Sequence, residues 1–88
     1  SKGASGRNHQ ATYGMGQLVG NTTIDVDFYS EQDILTVYDG PKAQGTPIIN
    51  RRIIQNKMVI PIHFTQGAVT VVITSSDSSS WEYVVNCP

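Results

Sequence analysis

The chain has 88 residues, with six basic and seven acidic side chains and a formal net charge of −1. That length makes one domain with a modest core, and that charge gives no field to draw in nucleic acid or an anionic membrane. No apolar run approaches the ~20 residues of a membrane-crossing helix, and plentiful Ser, Thr, Gly and Asn with few charges suit a β-rich domain.

Taken in order, residues 1–8 read as a flexible leader or tag remnant, and residues 9–88 as a single domain. His9, one of two histidines, reads as a solvated loop residue. Tyr13 and Met15 share a parity and suggest a short first strand over residues 11–16. After the Gly20-Asn21 turn signal, residues 22–29 alternate cleanly. Ile24, Val26 and Phe28 point one way, while Asp25, Asp27 and Tyr29 point the other. Residues 34–38 form the next strand, closed by Asp39-Gly40-Pro41. Two short extended runs follow, over 47–49 and 51–55, and Asn56-Lys57 suggests a tight hairpin before the apolar row Met58, Ile60, Ile62, Phe64. Pro61 lacks an N–H, which places its strand at a sheet edge or at a bulge. Residues 68–74, rich in Val and Ile, read as a central strand with Val69, Val71 and Ile73 inward. A polar loop over 75–80 leads to a last strand with Trp81, Tyr83 and Val85 on one face.

About seven to nine short strands at roughly 8–12-residue spacing predict an all-β chain, an antiparallel β-sandwich or jelly roll. No catalytic set is recognisable. The serines at 75, 76 and 78–80 are linker-like, and His63 has no second His or Cys at zinc spacing.

The central stretch Asp33-x-Leu35-x-Val37-Tyr38-Asp39-Gly40 resembles the core motif of CUB domains. Pro47-Ile48 is similar to the apolar pair that follows it there. Ile73-Thr74-Ser75-Ser76-Asp77 and Trp81-Glu82-Tyr83 are looser matches, so the likeness covers about residues 22–85. It departs from the family in having no internal disulfide, since Cys87 is the single cysteine and Ser30-Glu31-Gln32 precede Asp33. A small jelly roll of the bacterial pre-peptidase C-terminal kind would show the same strand pattern. The resemblance implies a calcium ion held by Asp25 or Asp27, Asp33 and Asp77, and oxygen ligands of this type suit Ca²⁺. The same aspartates also suit a solvated sheet face and a loop turn.

Tyr29 and Tyr38 oppose the apolar parities of their strands and are candidate ligand contacts, whereas Trp81 and Tyr83 suit core packing. Asp39 suits a turn, and also a loop patch with Lys42 and Gln44. Arg51-Arg52 with Lys57 forms a basic strip, either a solvated hairpin or a contact for an acidic partner. The expected role is a non-catalytic binding module for a protein or glycan in a secreted or cell-surface protein, without nucleic-acid binding or membrane insertion. The competing expectation is a structural appendage of a larger secreted enzyme or surface assembly, with Cys87 paired to a cysteine outside this segment.

Overall fold

A computed structural model describes residues 8–29, 32–75 and 81–88. Seven strands follow one another, with no helix among the described residues: β1 Asn8–Gly14, β2 Gly20–Asp27, β3 Asp33–Asp39, β4 Pro47–Ile54, β5 Lys57–Phe64, β6 Ala68–Thr74 and β7 Glu82–Val85. They form two antiparallel sheets, a four-stranded one in the order β1-β6-β3-β4 and a three-stranded one in the order β5-β2-β7. The expected all-β sandwich is what the chain adopts.

Alternation explains which side of each strand is buried. Ile24, Val26 and Phe28 of β2 and its extension face Leu35 and Val37 of β3 and Val69, Val71 and Ile73 of β6, all of them buried. β6 is central in its sheet, as its Val and Ile content implies, and β5 is an edge strand, which is where Pro61 is tolerated. Of the connections between strands, only β3–β4 stays within one sheet; the others cross from one sheet to the other.

Three boundaries differ from expectation. β1 starts at Asn8, inside the supposed leader, because it pairs along the whole of β6 from Asn8↔Thr74 to Gly14↔Ala68. Asn8 also accepts a hydrogen bond from the Ser75 N–H through its side-chain oxygen. The Asn56-Lys57 turn does not close a hairpin, since β4 and β5 belong to different sheets. Asn56 takes a left-handed φ of 66° there, and its backbone bonds to Phe28 and Tyr29, prolonging the β2–β5 ladder instead. β4 itself is bulged. Leu35 pairs with Arg52 and Val37 with Ile49, so Asn50 and Arg51 together oppose Thr36.

The turn after β3 needs its glycine. Gly40 has φ 111°, its N–H donates to the Ala68 carbonyl at 2.8 Å, and a Cβ there would stand 3.1 Å from the Gln66 side-chain oxygen.

Phe64, fully buried at the end of β5, tests the shared core. Phe64→Ala should cost about 3–5 kcal/mol. Against a total of roughly 4–13 kcal/mol for a domain of this size, that should lower the urea midpoint by at least about a quarter.

Candidate functional site

The outward face of the three-stranded sheet is where polar and apolar chemistry meet. On β2 the residues that alternate away from the core are Asn21, Thr23, Asp25 and Asp27. The register sets Asp25 between Val59 of β5 and Val84 of β7, and Asp27 between Lys57 and Glu82. Two valines flanking a carboxylate thus lie beside a fully charged row, with three carboxylates against one ammonium in all. These side chains and Met58 line a cleft of about 460 Å³. Three of its apolar members are open to solvent, Val59 at 65%, Val84 at 38% and Met58 at 36%, whereas Val26 and Tyr83 are buried beneath. Tyr29 extends the charged row at the end of β2. It is 45% exposed, has a left-handed φ of 56°, and donates its N–H to Asp27 Oδ1 at 3.0 Å. Desolvation, the Glu82 and Asp27 carboxylates, and a hydrogen bond to Glu82 push the Tyr29 phenol above its usual pKa.

The calcium set expected from the family resemblance is not gathered by the described residues. Asp25 and Asp27 face away from the core on one sheet, whereas Asp33 is buried on the inward parity of the other, opposite Ile54. Asp33 is engaged within the fold. Asp77 lies outside the described residues. Among the described residues, no group of three or more His, Cys, Asp or Glu is arranged to hold a metal.

Asp39, Lys42 and Gln44 come together at one end of the sandwich, where they line a polar cleft of about 420 Å³ with Pro41, Gly45 and Gln66. Asp39 also ties two loops. It accepts from the Thr65 N–H at 2.9 Å and from the Thr65 hydroxyl at 2.5 Å, which joins the end of β3 to the β5–β6 turn. Burial pushes its carboxyl upward, but the Thr65 hydroxyl, the Thr65 and Gln66 N–H groups and the His63 ring outweigh it, and the net shift is downward. Tyr38 is not part of that cleft. It is half-buried on the outer face of the four-stranded sheet, between Thr70 and Pro47.

His9 is a strand residue rather than a solvated loop residue. It faces inward from β1, and its Nε2 lies 2.8 Å from the Tyr83 hydroxyl. The Tyr13 hydroxyl shares a hydrogen bond with the same Tyr83 oxygen. The His9 and Trp81 rings are 5.1 Å apart, and the Trp81 and Tyr83 rings are stacked at 6.1 Å. This cluster closes the open side of the sandwich between edge strands β1 and β7. Burial, then the Tyr13 hydrogen bond, hold the Tyr83 phenol far above the usual tyrosine range. Trp81 and Tyr83 are therefore core residues, not stacking platforms.

Four members of the outer cleft were absent from the sequence-based candidates: Met58, Val59, Glu82 and Val84; Lys57 entered only as part of the basic strip. A signal for the two valines exists. Met58-Val59-Ile60 and Tyr83-Val84-Val85 are apolar on both parities, although each strand buries only one. Comparison of the chain with protein-family models, with curated protein sequences and with solved structures finds no match.

The Asp39 tie predicts an acid-sensitive end. A carboxylate whose pKa is lowered by folding adds stability above its unfolded value of about 3.9 and loses it as pH falls through the folded value. Asp39→Asn should lower stability at neutral pH by about 1 kcal/mol, given its exposure to water. It should also make the fall in melting temperature between about pH 4 and pH 2 shallower than in the wild type. Thermal melts across that range check both.

Proposed function

We propose that this domain is a non-catalytic binding module whose ligand is a protein, docked on the outer face of the β5-β2-β7 sheet. One observation carries the reading: Val59 and Val84 are exposed on either side of Asp25, in a cleft that Asp27 and Glu82 also line. Solvated sheet faces normally alternate to polar residues, so two exposed valines flanking one carboxylate suit a use outside the fold. Neighbouring carboxylates would set orientation and partner charge.

A protein suits this face better than a glycan. Sugar rings stack on exposed aromatic faces, and Trp81, Tyr83 and Tyr13 are spent on the β1/β7 closure. Tyr29 is the one aromatic ring at the border of the cleft, where Glu82 engages its hydroxyl. The CUB-like likeness of the segment from Asp33 to Gly40 fits the same class of role, in a secreted or surface protein, and stands as a proposal with it. Calcium forms no part of this reading. The competing role, a structural appendage, draws on the exposed thiol of Cys87 just beyond β7.

Panning a random-peptide display library against the domain separates the two. Binders carrying Lys or Arg beside apolar residues are expected, and Val59→Glu should weaken them at least about tenfold, or 1.4 kcal/mol. Lys42→Ala, at the far loop cleft, should leave them unchanged. A library that yields no binders, or binders indifferent to Val59→Glu, overturns the proposal.

A further inference from the structure

The cleft specifies a partner: an apolar side chain flanked by cations. Among the described residues, β4 carries an exposed segment of this kind on the chain's own surface. Asn50, Arg51, Arg52 and Ile53 are four consecutive exposed residues on β4, an edge strand. Simple alternation would hide half of them. The bulge opposite Thr36 and the left-handed φ of 49° at Arg51 break the alternation and turn the segment outward. A left-handed conformation is unfavourable for a residue such as Arg, so the arrangement is not what the strand adopts by default.

Protection of a bare sheet edge accounts for the bulge and the two arginines, because charge and irregularity deter strand addition. It does not account for Ile53. That side chain is 63% exposed between the arginines and the buried Ile54, and an exposed isoleucine on an edge invites association. The two most exposed β-branched residues within strands are Ile53 and Val59, and they sit in surroundings of opposite charge.

We infer that the occupant of the cleft is the Arg51-Arg52-Ile53 edge of a second copy of this chain. The inference rests on the outer sheet face being a docking surface. Ile53 lies against Val59, and the arginines meet Asp25, Asp27 and Glu82. β4 and β5 run along the same side of the sandwich, joined by Gln55 and Asn56, so the donor edge and the acceptor face adjoin. A two-fold axis lets each copy supply its edge to the other's face, and such a pair is closed rather than open-ended. A net charge of −1 gives little repulsion against it.

Sedimentation equilibrium from micromolar to millimolar protein reads the result. Wild-type mass should rise from the 9.6 kDa monomer toward the dimer. Salt near 1 M, where the screening length is about 3 Å, should weaken the pair. Arg51→Glu with Arg52→Glu should be monomeric alone, as should Asp25→Lys with Asp27→Lys, since each sets like charges against each other. An equimolar mixture of the two double variants pairs Glu with Lys at one contact and keeps Arg with Asp at the other, so it should recover association. Asp25, Arg51 and Arg52 are exposed and Asp27 is half-buried, and circular dichroism shows whether each variant remains folded. A wild type that stays monomeric throughout overturns the inference. So does a mixture that fails to associate, or an Arg51/Arg52 variant that pairs as tightly as the wild type. If Val59→Glu still abolishes peptide capture in any of those cases, only the occupant is wrong and the docking face stands.

Discussion

The fold depends on one constraint: neither sheet can form without the other. Every connection but β3–β4 passes from one sheet to the other, so sequence neighbours are rarely ladder neighbours. The two inward rows, Ile24, Val26 and Phe28 against Leu35, Val37 and Val71, are what hold the crossing chain together. Burial of apolar area supplies that attraction, at roughly 25 cal/mol per Å². The open sides need separate solutions. On the β1/β7 side, His9, Tyr13, Trp81 and Tyr83 close the gap with rings and a hydroxyl–imidazole chain. On the other side, the β4–β5 crossing does so with backbone, through the Asn56 bonds to β2.

With the interior spoken for, function is left to the outer faces and the loop ends. The two outer faces differ. That of the four-stranded sheet carries Thr12 and Thr70, which bond to each other and to the Gly40-Pro41 turn, and is largely satisfied by its own fold. That of the three-stranded sheet leaves Val59 and Val84 in water beside carboxylates. A face of the second kind gains from being covered, which is why the binding reading rests there and not on the loop cleft around Lys42.

Much of the fold was legible in the residues. The alternation of β2 and the Val-rich β6 were readable because burial on one or both faces writes itself directly into side-chain type. The β4–β5 region was not. Arg51, Arg52 and Ile53 follow no period because a bulge interrupts them, and a two-residue polar turn looks the same whether it joins one sheet or two. His9 was misread because its environment is made by Tyr83, 74 positions away. Half of the outer cleft was legible as well: Asp25, Asp27 and Tyr29 stood out on the polar parity of β2. Their neighbours Val59 and Val84 merged into apolar runs, and only the register across three strands sets them beside Asp25.

The central claim is that the outer face of β5-β2-β7 is covered in use by the β4 edge of another copy. Amide chemical shifts followed through a dilution series test it most directly. The claim predicts that Asp25, Val59 and Val84 on one side, and Arg52 and Ile53 on the other, shift together along one binding curve while Lys42 and Gly45 stay fixed. Shifts confined to the Lys42–Gly45 loop, or none at any residue up to millimolar concentration, would contradict it.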